Sequence, residues 1–233
     1  MTDSSFTELL QSISTEPIFL LSPTIPLEKY IPLDLSHQNA HLDSVDVSSS
    51  DALEAYIWNY MKSQNAHIAY GGYLERRAIY QRSDYFNQED PSTERNIHLG
   101  LDLWIEAEAK IYAPLDGVVH SFANNMNYGD YGPTIILKHY IETQTFYTLY
   151  GHLSLESIKR LKVGDVFKKG DVIATLGDAS VNGDYPPHLH FQIVKDMQHY
   201  RGDYPGVTNI QDIDFYKANC PDPQLLLKLN TKG

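Results

Sequence analysis

Three histidines and one carboxylate stand in two short segments of this chain, His98-Leu99-Gly100-Leu101-Asp102 and His188-Leu189-His190. All are side-chain types that bind divalent transition metals, imidazole through a neutral ring nitrogen and carboxylate through oxygen. Residues two apart on a β-strand project from the same face, so His188 and His190 can address one site. His98 and Asp102 would also share a face of a straight strand, but about 13 Å apart, too far to touch one ion. A shared ion requires the backbone to turn between them. Gly100 lies at the midpoint and can adopt the positive φ that a turn or bulge needs. The HxH spacing alone leaves both of its histidines as candidate ligands, and Asp102 is either a ligand or the partner that orients an imidazole through its other nitrogen. The largely apolar run that follows, Phe191-Gln192-Ile193-Val194, makes unpaired imidazoles costly and favours a metal site over surface polarity.

Such segments need a sheet to hold them. From residue 97 onward the chain reads as short strands over 110–113, 117–123, 134–139, 144–150, 172–176 and 188–194, rich in Ile, Val, Thr, Tyr and Phe. Turn signals include Asp116-Gly117 and Asn182-Gly183, and the series favours antiparallel sheets over a βαβ array. Upstream, Ser50-Asp51 can cap a helix in which Leu53, Tyr56, Ile57, Tyr60 and Met61 recur at helical spacing. A short helix is also expected over 6–13, an extended loop over 22–50, and one short helix in the Pro-containing tail. The expected organisation is a partly helical N-terminal segment (1–90), a β domain carrying the candidate site (91–200) and a tail packing on the core (201–233). The fold class is mainly β, α+β overall.

The 233 residues carry a formal net charge of −12, which argues against nucleic acid and against attraction to an anionic membrane. Cys220 is the sole cysteine, so no disulfide can form within the chain, and its expected role is structural. The first residues lack a basic region followed by an apolar core, and Phe19-Leu20-Leu21 is far too short to span a bilayer. A cytoplasmic protein with no membrane insertion is the expectation.

Over roughly residues 95–195 the chain resembles the M23 family of zinc metallopeptidases, the lysostaphin and LytM-type endopeptidases. That family shows HxxxD early, an aromatic-x-His-Leu stretch in the middle and HLHF late. Here these read His98 to Asp102, Tyr150-Gly151-His152-Leu153, and His188-Leu189-His190-Phe191. The resemblance implies an antiparallel core of the duplicated hybrid-motif type and one Zn2+ per chain, held by His98, Asp102 and His190. It implies that His152 and His188 are the catalytic histidines, and that a peptide bond is hydrolysed through a zinc-bound water. The implied partner is a peptide or peptidoglycan-like substrate; the missing export signal makes a small cytosolic peptide or amide an alternative. Family members usually carry Gly-Pro before HLHF, whereas this chain has Asn182 to Pro187, a change expected to alter the cleft rim and leave the metal set untouched. Upstream segments of relatives can cover the cleft, and Asn65, His67 or Asn87 could do so here. Two rival readings are a glucose-type phosphocarrier domain, phosphorylated on His98, and a catalytically silent regulator of M23 fold. The HLHF and Tyr-Gly-His-Leu stretches favour the peptidase over the first, and all five key residues being present disfavours the second. His120, His139 and His199 are expected to be structural, and His37, His41 and His67 lie outside the matching region.

Overall fold

The β-branched and aromatic runs beyond residue 97 build the centre of the molecule. In the computed structural model, which describes residues 3–83, 86 and 92–229, this is a mainly β fold with short helices at both ends. The strands in chain order are β1 (Tyr30–Pro32), β2 (Ile68–Gly71), β3 (Ile97–His98), β4 (Leu101–Trp104), β5 (Lys110–Tyr112) and β6 (Gly117–Asn125). They continue with β7 (Gly132–Ile141), β8 (Gln144–Gly151), β9 (Val166–Phe167), β10 (Val172–Thr175), β11 (His188–Val194) and β12 (Val207–Thr208). Eight form one sheet in the order β1-β2-β4-β11-β8-β7-β6-β9, while β5 pairs β10 and β3 pairs β12. All pairs run antiparallel except β1 with β2, which is parallel. The strands expected from sequence correspond to β5, β6, β7, β8, β10 and β11. β1 and β2 were not expected: Tyr-Ile-Pro is too short to show alternation, and Pro32 is tolerated because β1 is an edge strand.

Helix α1 (Asp3–Ser12) starts three residues earlier than expected, and α2 (Ser50–Ser63) buries Leu53, Ile57 and Met61, one residue per turn. Its cap is Ser49, whose hydroxyl accepts from the Ala52 amide at 3.3 Å. The expected cap, Ser50, instead donates to the Asp184 carboxylate at 2.8 Å. After the one-turn α3 (Glu156–Lys159), the tail carries two helices where one was expected, α4 (Ile213–Asn219) and α5 (Gln224–Leu227). Among the described residues no helix is long and apolar enough to cross a membrane.

The period-two alternation of β4 and β11 sorts their side chains. Leu101, Leu103, Leu189, Phe191 and Ile193 join one core with Leu10, Leu20, Phe146, Tyr150 and Leu226. Burying each such Leu or Phe contributes about 1.5–3 kcal/mol. Asp102, Trp104, His188, His190 and Gln192 therefore face the other way. That second face is also covered, by Leu53, Ile57, Ile79 and Tyr80 on one side and by Tyr131, Tyr204 and Cys220 on the other. All seven residues of β11 are buried. Polar groups on this face must consequently find partners inside the protein.

Candidate metal centre

The register of β4 against β11 places Asp102 opposite His190 and Trp104 opposite His188. His98 reaches the same point because the chain leaves one ladder for another: β3 pairs with β12, and β4 then pairs with β2 and β11. The turn expected between His98 and Asp102 is present, but Gly100 is not among the positive-φ glycines. Its requirement is space. A Cβ at residue 100 would stand 2.5 Å from His190 Cε1 and 2.6 Å from its Nε2. Gly100→Ala is thus expected to overpack the site and lower stability by about 1–3 kcal/mol, read as an earlier midpoint in chemical denaturation. An unchanged midpoint would show that the His190 ring has room to move. His152 follows β8 with φ +61°, a left-handed conformation uncommon for a residue with a side chain. Its neighbour Gly151 pairs with His190.

These elements bring all five expected site residues together. His98 Nε2 lies 2.8 Å from His190 Nδ1 and 3.3 Å from Asp102 Oδ1, and His190 Nδ1 lies 3.2 Å from the same oxygen. His188 Nε2 is 3.9 Å from Asp102 Oδ1, and the His152 and His188 ring centroids are 4.2 Å apart. The outer nitrogens assign the tautomers. Nδ1–H of His98 donates to the Gly72 carbonyl at 2.9 Å, that of His152 to Asn182 at 2.7 Å, and that of His188 to Pro186 at 2.7 Å. His190 is reversed: its Nε2–H donates to Gln192 Oε1 at 2.9 Å and leaves Nδ1 bare. The lone pairs of His98 and His190 and a carboxylate oxygen thus converge with no proton between them. A divalent cation satisfies such a set. Tetrahedral coordination at about 2.0–2.1 Å places ligand atoms roughly 3.3 Å apart, and the donor set of His98, Asp102 and His190 fits a zinc-type ion in chemistry and in two of its three separations.

The electrostatics agree. Burial pushes His98 down to about 4 despite the neighbouring carboxylate, and it lowers His152 and His188 as well, so these rings are neutral near pH 7. Burial opposes the charge on Asp102, but His98, Arg77 and His188 outweigh it and hold the carboxyl well below its usual range. Arg77 was not read from the sequence. Its Nη1 donates to Asp102 Oδ2 at 2.6 Å from 25 residues upstream, a contact without a local pattern to announce it.

The site floors a cleft with a cavity of about 140 Å³. Leu35, Leu53, Ile79 and Tyr80 wall one side; Tyr131, Asp203 and Gly206 lie on another. Of the residues considered as covers, Asn65 and His67 are exposed and do not line the cleft, and Asn87 lies outside the described residues. The departure over 182–187 reaches further than the rim. Tyr185 and Pro186 line the cleft, while the carbonyls of Asn182 and Pro186 hold His152 and His188. His139 bonds Asp116 and Thr148 away from the site, and the Cys220 thiol, pushed up to about 12 by burial, accepts from Gln192.

Residues 96–201 match the model of peptidase family M23. No curated protein matches the chain. Among solved structures it is similar to the catalytic domain of the antimicrobial peptidase lysostaphin from Staphylococcus simulans, at 22% identity over 52% of this chain and 80% of that one, with a TM-score of 0.34. For a zinc-containing peptidase from Vibrio cholerae the identity is 27%, over 46% of this chain and 30% of the other, at a TM-score of 0.35. For a mutant catalytic domain of the prophage-encoded M23 protein EnpA from Enterococcus faecalis it is 24%, over 51% and 85%, at 0.37. His98, Asp102, His152, His188 and His190 all fall inside the stretch, 96–201, that matches the model of peptidase family M23.

Proposed function

We propose that the protein is a zinc-dependent peptidase that hydrolyses a peptide or amide bond, in a short peptide or a peptidoglycan-type bridge. The observation that carries this reading is the convergence of two bare imidazole nitrogens and one carboxylate oxygen, from His98, His190 and Asp102, with two further neutral histidines alongside. His98, Asp102 and His190 would hold the ion. A bound zinc supplies Lewis acidity and lowers the pKa of water at its open position.

The chain's own residues supply the rest. His152 and His188 have their Nδ1–H tied to backbone carbonyls, so each presents Nε2 as a proton acceptor at a fixed angle. Being neutral, either can take a proton from the attacking water and then donate it to the leaving amine. The other lines the same cleft with the same tautomer and, with no proton on its Nε2, is the alternative acceptor. Trp104 stacks on His188 at 5.8 Å and 22°, which limits ring rotation, and the apolar wall of Leu53, Ile79 and Tyr80 reduces access of bulk water.

The phosphocarrier alternative gains no support. His98 is 2% exposed, and its Nε2 is turned into His190 and Asp102, where a phosphoryl group would meet a carboxylate. To test the peptidase reading, the full chain with one equivalent of zinc is incubated with glycine-rich peptides and peptidoglycan fragments, with mass detection of products. Hydrolysis should vanish on chelation and return with zinc. Unchanged hydrolysis by protein confirmed to be metal-free would refute the reading.

A further inference from the structure

We propose that Arg77, contributed by the segment ahead of the family-matched stretch, is a positioning residue of the metal centre that commits Asp102 to binding the ion through one oxygen. The inference rests on the metal-site reading above and adds to it a component outside residues 96–201.

The two oxygens of Asp102 have different surroundings. Oδ1 faces His98 Nε2 at 3.3 Å, His190 Nδ1 at 3.2 Å and His188 Nε2 at 3.9 Å. Oδ2 is turned away and accepts from Arg77 Nη1 at 2.6 Å. A carboxylate with both oxygens free can chelate an ion and occupy a position that water or substrate needs. One held at its second oxygen by a guanidinium cannot do so without giving up a short, charge-assisted hydrogen bond.

Arg77 is itself held. Nε donates to Glu75 Oε2 at 2.5 Å, and the guanidinium lies 5.6 Å from the centroid of Trp104, the ring that stacks on His188. Its backbone N–H donates to the Asn96 carbonyl, and the strands around it are laced together by Leu74 N–H to His98 O and His98 N–H to Glu75 O. Gly72, with φ +104°, completes the arrangement: a Cβ there would come within 2.0 Å of Arg77 Nη2 and 2.9 Å of His98 Nδ1. The Gly72 carbonyl meanwhile accepts the His98 Nδ1–H. Residues 72–77 therefore orient two of the three candidate ligands.

A buried cation beside a site for a dication is unfavourable unless it is balanced. Here Glu75 and Asp102, two carboxylates to one guanidinium, leave one net negative charge facing the incoming ion. A purely architectural salt bridge would have no reason to divide the Asp102 oxygens between the cation and the ring nitrogens. Arginine suits the task because its planar fork reaches two carboxylates at once, which an ammonium on a flexible stem does not do in fixed geometry.

The test measures zinc affinity of the full-length protein by competition with a chromophoric chelator, and the absorption of the cobalt-substituted form. Arg77→Gln should weaken zinc binding by roughly 10–100-fold, the usual effect of removing an orienting partner, with Arg77→Lys intermediate. The cobalt bands of Arg77→Gln should lose intensity as Asp102 becomes free to chelate and coordination number rises. Affinity within about twofold of wild type, with an unchanged cobalt spectrum, would leave Arg77 a structural residue and overturn the proposal. If the variants do not fold, a crystal structure of the zinc-loaded wild type decides. Oδ1 alone on the ion with Arg77 still on Oδ2 supports the proposal; chelation by both oxygens, or a displaced Arg77, overturns it. Wild type that binds no zinc would overturn both this inference and the peptidase reading, whereas tight zinc binding by wild type and variants alike would overturn this inference alone.

Discussion

Asp102→Ala is expected to yield a protein without bound zinc, without hydrolytic activity, and less stable by about 3 kcal/mol. The loss of metal follows from removing one of three donors and the only charged one. The loss of stability has a separate origin, since Asp102 is 1% exposed and its removal leaves Arg77, 5% exposed, short of a partner. Breaking a buried ion pair usually costs about 3–5 kcal/mol, and Glu75 should keep the effect near the lower end. Elemental analysis and denaturant unfolding read the two effects independently. Stoichiometric zinc in the variant would remove Asp102 from the ligand set, and unchanged stability would show that the Arg77 pair contributes nothing to the fold.

His152→Ala and His188→Ala should separate chemistry from binding. Both variants are expected to fold and retain zinc but to lose turnover by roughly 10²–10⁴-fold, the scale of a positioned proton-transfer group. His188 is the more informative of the two, because its Nε2 is 3.9 Å from Asp102 Oδ1, close enough for the alternative that both histidines of the HxH pair are ligands. A metal-free His188→Ala protein would establish that alternative and reassign the residue. Full turnover in His152→Ala would leave His188 as the sole proton acceptor.

Much of this centre was legible in the chain because strand periodicity is a local property. A residue spacing of two put His188 and His190 on one face, and the apolar alternation of Leu189, Phe191 and Ile193 fixed which face that was. Gly100 was read as significant for the wrong reason. Sequence displays a glycine's freedom in φ, but the approach of the His190 ring depends on a strand 90 residues away. β1 escaped notice because it is three residues ending in proline inside a stretch read as an extended loop, and the place of both β1 and β2 is set by the open side of β4 rather than by a local pattern. Arg77 was invisible for a related reason, as its significance lies wholly in a tertiary ion pair. The cap of α2 was displaced by a single residue, since Ser49 and Ser50 offer the same hydroxyl and only the position of Asp184 distinguishes them.

The place of β11 in the sheet also bears on how the protein is made. This central strand is the bridge between β4, whose Asp102 lies 88 residues before its partner His190, and the hairpins of β6, β7 and β8. Until β11 has left the ribosome, one long edge of β4 and one of β8 have no partner. At synthesis rates of about 5–20 residues per second, the interval between the two halves of the Asp102–His190 pair is roughly 4–18 seconds. For that time Leu101 and Leu103 border an open edge of the kind that recruits other strands. The hairpins can form early from near neighbours, but closing the sheet is a long-range event of high contact order. Damage to β11 therefore threatens more than the metal centre: a nascent chain stalled before residue 188 would display two unsatisfied edges at once, which would make it a client of chaperones.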